Sequence, residues 1–155
     1  MIKDKSGSLQ KARNYAFLLL KFRQRSRKEI EFRLKQKKFE EPVIKETVAF
    51  LKDRGFIDDA AFARAWIDAR LKKPLGLRRI KEELRIKGID SDIININLGQ
   101  IKQDYCEEEV VSRIAADKLK KLKGIEPQKA KQRIYSYLLR RGFSPEVISD
   151  TLAQL

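Results

Sequence analysis

The chain contains no histidine and one cysteine, Cys106. Disulfides, Cys/His zinc sites, histidine general bases and Ser-His-Asp triads are excluded by that inventory. No stretch approaches the ~20 uninterrupted apolar residues that span a bilayer, and the opening MIKDKSGSLQ has no apolar secretory core. No run alternates at period two, so no strand is expected. The phosphate-loop pattern GxxxxGK[ST] is missing as well, which removes nucleotide energy as a driving force. These absences predict a cytoplasmic, non-enzymatic protein without metal, cofactor or membrane association, preceded by a disordered tail over residues 1–10.

Positive charge is abundant. Thirty-six Lys and Arg against 22 Asp and Glu give +14 and an isoelectric point near 10, a balance that favours a polyanion or an acidic protein surface as partner. At 155 residues and 42% hydrophobic content the chain can bury a core, and its length suits several small modules better than one large enzyme domain.

Apolar residues recur at helical spacing throughout, as in Ile30/Leu34, Leu77/Ile80/Leu84 and Ile134/Leu138. Breaks fall at Gly55, Pro74–Gly76, Gly88, Gly124–Pro127 and Gly142. Residues 26–51 superpose on 76–101 without a gap, placing Ile30, Leu34, Phe39, Val43, Ile44, Val48 and Leu51 on Ile80, Leu84, Ile89, Ile93, Ile94, Leu98 and Ile101. A third copy follows in Ile134, Leu138, Phe143, Val147, Ile148, Leu152 and Leu155, with Gly142 matching Gly88 where the first copy has Lys38. Each copy is a two-helix block preceded by a leading helix. The expected fold is therefore all-α, with three tandem three-helix repeats over residues 11–57, 58–103 and 104–155.

The joint between the first two repeats reads RGFIDDAAFARAW. Gly55 can adopt the left-handed conformation that closes a helix, and Phe56 can fold back over the finished turn. Asp58 then suits the N-cap of the next helix, Asp59 adds negative charge at its positive end, and Ile57 and Phe62 fall at the positions of a hydrophobic staple. Asp90 and Ser144-Pro145 occupy comparable starts later. A metal site would need converging oxygens, yet the next acid on that helix, Asp68, is more than two turns away. Capping explains both carboxylates.

The string Gly55, Phe56, Ile57, Asp58, Asp59, Phe62, Ala63, the downstream block Gly76, Ile80, Leu84, Lys87, Gly88, Ile89, and the three-repeat plan resemble the RecX family of bacterial recombination regulators. The resemblance covers roughly residues 12–155 and is most specific in the middle repeat. It implies an elongated crescent of helical repeats that binds the RecA recombinase filament in its groove. Family members mostly restrain RecA's strand exchange and its stimulation of repressor self-cleavage, in the service of DNA repair and the SOS response.

The interaction candidates are basic clusters: Lys21, Arg23, Arg25, Arg27 and Lys28; Lys35, Lys37 and Lys38; Arg78, Arg79, Arg85 and Lys87; Lys118, Lys120, Lys121 and Lys123; Arg140 and Arg141. Residues 1–57 hold sixteen basic and seven acidic residues, +9, against +3 for 58–103 and +2 for 104–155, so the first repeat is the expected approach to phosphates. Trp66 and Phe62 beside basic residues suggest base stacking, but their spacing of four, in a stripe with Ala63 and Ile67, favours core packing. The alternative function is non-specific DNA binding by one helix of a repeat. No repeat groups Asn, Gln and Arg as a base-reading face. The apolar positions are accounted for within the array, which predicts a monomer.

Overall fold

The computed structural model describes residues 4–155 as nine helices with no strand among them. They are α1 (Lys5–Phe22), α2 (Arg27–Gln36), α3 (Glu41–Asp53), α4 (Asp59–Leu71), α5 (Leu77–Ile86), α6 (Ser91–Ile101), α7 (Glu107–Lys121), α8 (Pro127–Arg140) and α9 (Pro145–Ala153). The tail expected over residues 1–10 is corrected in part. Lys5 to Gln10 belong to α1, and residues 1–3 lie outside the described residues.

Three cores follow the three repeats. Ile30, Leu34, Val43, Ile44, Val48 and Leu51 are buried with α1 residues Ala12, Ala16 and Leu19. Their counterparts Ile80, Leu84, Ile89, Ile94 and Leu98 are buried with Phe62, Ala63 and Ile67 of α4. In the third unit Ile134, Leu138, Phe143, Ile148 and Leu152 close over Val111 and Ala115 of α7. Leu155 departs from the pattern. It is 48% exposed, because it lies two residues past the end of α9 at Ala153, whereas Leu51 and Ile101 lie inside α3 and α6.

Burial of each helix's apolar stripe holds these units, since a fully buried Leu or Ile contributes ~1.5–3 kcal/mol. All helix pairs in substantial contact lie within one unit. Each unit therefore owns its core.

The α2–α3, α5–α6 and α8–α9 turns share one backbone form. Phe39, Ile89 and Phe143 amides donate to Leu34, Leu84 and Leu138 carbonyls, while the preceding residue has positive φ. This six-to-one closure is the Schellman motif. Gly88 and Gly142 meet the conformation without a Cβ, whereas Lys38 adopts φ 64° with a full side chain. The same closure follows α3, where Gly55 has φ 75° and Phe56 donates to Leu51. Phe56 then lies edge-to-face on Phe17 at 4.9 Å.

Candidate polyanion interface

The two carboxylates of the first joint divide between two helices. Asp58 is the N-cap of α4 and accepts from the Ala61 amide at 3.0 Å. Asp59 reaches back across the joint instead, accepting from the Arg27 amide at the start of α2 at 2.9 Å. Glu107 does the same one unit on, accepting from the Leu77 amide at the start of α5 at 3.4 Å. Leading helices thus cap the middle helix of the preceding unit.

The other side of each joint is a helix start seated on a glycine turn. Ser26 Oγ donates to the Lys87 carbonyl at 2.6 Å while accepting from the Glu29 amide. Its counterpart Gly76 donates its amide to the Arg141 carbonyl at 2.9 Å, and Arg78 donates to the Gly142 carbonyl. The approach is close: a Cβ at Gly76 would stand 2.1 Å from the Gly142 oxygen, and one at Gly142 would stand 2.3 Å from Arg79 Cβ. Glycine is required at position 76 by contact alone, and at position 142, where φ is 88°, by both contact and φ.

Two expectations about this region need correction. Ile57 belongs to the first core and Phe62 to the second, so the staple between them is not formed. Asp90 and Ser144 do stand at N-caps, but their side chains make no capping bond. Glutamate in a third place, Glu126, caps α8 through the Gln128 amide.

Trp66 packs into the second core, stacked on Phe62 with ring centroids 5.9 Å apart, and its Nε1 donates to Glu83. Glu83 also accepts from Arg70 and Arg79. Burial opposes its charge, yet these three donors hold its carboxyl below the usual range.

The basic candidates separate into paired and unpaired groups. Arg23 binds Glu29 at 2.5 Å, Arg25 lies 3.9 Å from the same carboxylate, and Arg27 binds Glu31 at 2.7 Å. Burial, then the neighbouring Arg23, lowers the Arg25 guanidinium from its ordinary value. Lys87 crosses the joint to Glu29 at 3.8 Å and covers Trp66, while Lys28 packs over Gly88. Arg79 pairs with Glu83 and Arg85 with Glu82. Arg141 donates to Tyr137 Oη. Lys21, Lys35, Lys37, Lys38, Lys120 and Lys123 are exposed, with Lys37 5.2 Å over the Tyr15 ring.

The remaining cations gather in two grooves of units two and three. One, of about 650 Å³, lies between α7 and α8 and is lined by Lys118, Lys121, Lys129, Arg133 and Arg140 with no carboxylate. Its floor includes Tyr137, over which Lys118 Nζ sits 3.7 Å from the ring centroid. The other crosses the second joint between α5 and α8, lined by Arg78, Arg79, Lys81, Arg85 and again Arg140, with Glu82 the single acid. Arg140 belongs to both. The sequence candidates include Lys118, Lys121, Arg78, Arg79, Arg85 and Arg140 but not Lys81, Lys129 and Arg133; for the last two the signal was the four- and seven-residue spacing of 129, 133 and 140 along one face of α8.

Such an array of three-helix units, joined in series by repeated contacts, defines a tandem helical-repeat protein. Family models for the first, second and third three-helix domains of RecX match residues 12–51, 58–96 and 107–152. The chain belongs to the RecX family. It is 37% identical over 147 residues to the regulatory protein RecX of Chlorobium phaeobacteroides (strain BS1), covering 94% of each chain. It is 34% identical over 148 residues to that of Mycobacterium sp. (strain KMS), covering 92% of this chain and 80% of the relative. The crystal structure of RecX from Lactobacillus salivarius superposes with a TM-score of 0.85 at 26% identity, over 97% of both chains.

Proposed function

We propose that this chain binds the filament of a RecA recombinase as a cytoplasmic monomer and restrains the filament's recombination and coprotease activities in DNA repair. The observation that supports this reading is the serial build of a RecX-family chain: equivalent joint contacts at Arg27–Asp59 and Leu77–Glu107 hold three similar units in a row. A helical polymer presents equivalent sites at intervals, and linked modules gain from effective concentration when they engage several at once. Restraint then comes from differential affinity for one filament state and uses no nucleotide. The test compares the full chain with residues 1–103 on recombinase filament and on isolated recombinase monomer. Loss of the third unit is expected to weaken filament binding far more than monomer binding. Equal losses would rule out bridging of protomers.

A second reading, direct non-specific binding to DNA, is favoured by the unpaired cations of the α7–α8 groove. It is compatible with the first, because a recombinase filament carries its own strand.

A further inference from the structure

We infer that the two grooves meeting at Arg140 form one track for the phosphodiester backbone of single-stranded nucleic acid, running along α8 and over the second joint onto α5. The inference rests on the direct-binding reading and is independent of any contact with a recombinase. It also moves the polyanion surface away from the first unit, which carries most of the net charge.

Net charge and available charge differ here. In the first unit the cluster Arg23, Arg25 and Arg27 is engaged by Glu29 and Glu31, so these three guanidiniums are not free for a partner, although the unit's net +9 is unchanged. Along the track Arg78, Lys81, Lys121, Lys129, Arg133 and Arg140 are exposed and none is paired with a carboxylate among the described residues. Like charges held in a concave wall raise the local potential above that of the same charges spread over a convex face. Glu82, paired with Arg85 at the α5 end, is the single acid among the lining residues. A phosphate chain would relieve the rest.

Geometry selects the kind of polyanion. Lys129, Arg133 and Arg140 follow one face of α8 over eleven residues, a stripe ~16 Å long. Arg78, Lys81 and Arg85 continue it on α5. The α7–α8 groove, at about 650 Å³, is the size of a small-ligand cleft. A strand can lay its sugar-phosphate chain in such a cleft, whereas a duplex is too wide to enter and too stiff to follow a path that turns from one helix to another. Aliphatic stems of the lysines and the Leu122 side chain supply apolar wall for the sugars and base faces. No grouped amide side chains are present to read base edges, so the track is sequence-tolerant.

The test is fluorescence anisotropy of a labelled oligothymidylate with the full chain at several salt concentrations. Lys129→Gln/Arg133→Gln changes two exposed side chains that support no packing, and circular dichroism checks its fold. With a slope of about −0.7 per phosphate contact on a log–log plot, the double variant is expected to flatten the slope by about 1.4 and to bind roughly 25-fold more weakly at 0.1 M salt. Arg140→Gln alone is expected to weaken binding, and Lys35→Gln/Lys37→Gln in the first unit to leave it nearly unchanged. Unchanged binding in the α8 double variant, an equal loss in the first-unit control, or tighter binding of a duplex or of polyglutamate than of the strand would each overturn the track. Because the strand is bare, filament binding that survives Lys129→Gln/Arg133→Gln leaves the recombinase reading intact.

Discussion

Asp58 and Asp59 are neighbours in sequence with separate duties, and substitutions should tell them apart. Asp58→Ala removes one N-cap bond of α4 and is expected to cost ~1 kcal/mol in urea unfolding. Asp59→Ala leaves the Arg27 amide, at a joint rather than on an open face, without its acceptor, at an expected cost of ~1–3 kcal/mol. Lys38 is the opposite case. It holds a left-handed backbone, φ 64°, that costs a side-chain-bearing residue ~1–2 kcal/mol, so Lys38→Gly is expected to raise the unfolding midpoint. A lower midpoint would show that the lysine side chain has a stabilising partner that outweighs the strain.

At the scale of the element, each middle helix is held at its first turn by the next unit. Gly76→Ala would push a methyl into the Gly142 carbonyl, with an expected loss of ~1–3 kcal/mol. Gly55→Ala meets nothing within 4 Å and should cost only its backbone strain. The two carboxylates that serve these elements respond to pH in opposite senses. Glu83 is held below its ordinary value, so the native state binds its proton less tightly than the unfolded chain does. Its contribution is present above the ordinary carboxylate range and lost as pH falls through the depressed value. Glu107 is pushed up by burial at the joint, against the Leu77 and Ser144 amides that oppose the shift. The native state binds that proton more tightly, so its contribution is present at low pH and lost as pH rises through the elevated value. Glu107→Gln, which keeps an acceptor for Leu77, should remove the second dependence. Urea midpoints measured from pH 4 to pH 7 would show it as loss of the fall in stability on the high-pH side; a curve parallel to the native one would place the titration elsewhere.

For the whole molecule, three cores joined by polar contacts make stability a sum over units and joints. Ending the chain at residue 103 uncovers the second joint and removes Tyr105 from the edge of the second core, but leaves every fully buried residue of the first two cores in place. The fragment is expected to keep the helical circular dichroism of six helices and to unfold cooperatively. A molten fragment would mean that the third unit's contacts at Gly76 and Leu77 are needed for the second unit to fold. The full chain should scatter light as a particle of 18.1 kDa, because the apolar positions shared by the three copies face their own cores. Concentration-independent scattering at twice that mass would contradict this.

What the amino-acid order determined alone was the class and the count: helices throughout, three copies of one apolar pattern, and turns closed by glycine. Those features depend on local physics, since the helical period decides which residues share a face and a missing Cβ decides which can take positive φ. Even there the pattern overreached at Leu155, which lies beyond the last residue of α9 and stays exposed. Tertiary structure decided how charge is used. Asp59 and Glu107 sit at equivalent places, yet nothing in either local sequence says that the amide they accept from lies 32 or 30 residues earlier. By contrast, Arg25–Glu29 and Arg27–Glu31 are local i,i+4 pairs that their sequence spacing already implies, whereas Arg70 meets Glu83 only because α4 packs on α5. Lys118, Lys129 and Arg140, spread over 23 positions, become one groove wall only when α7 packs on α8. Coulomb energy depends on distance through space and on the medium between the charges, and a sequence specifies neither until the chain has folded.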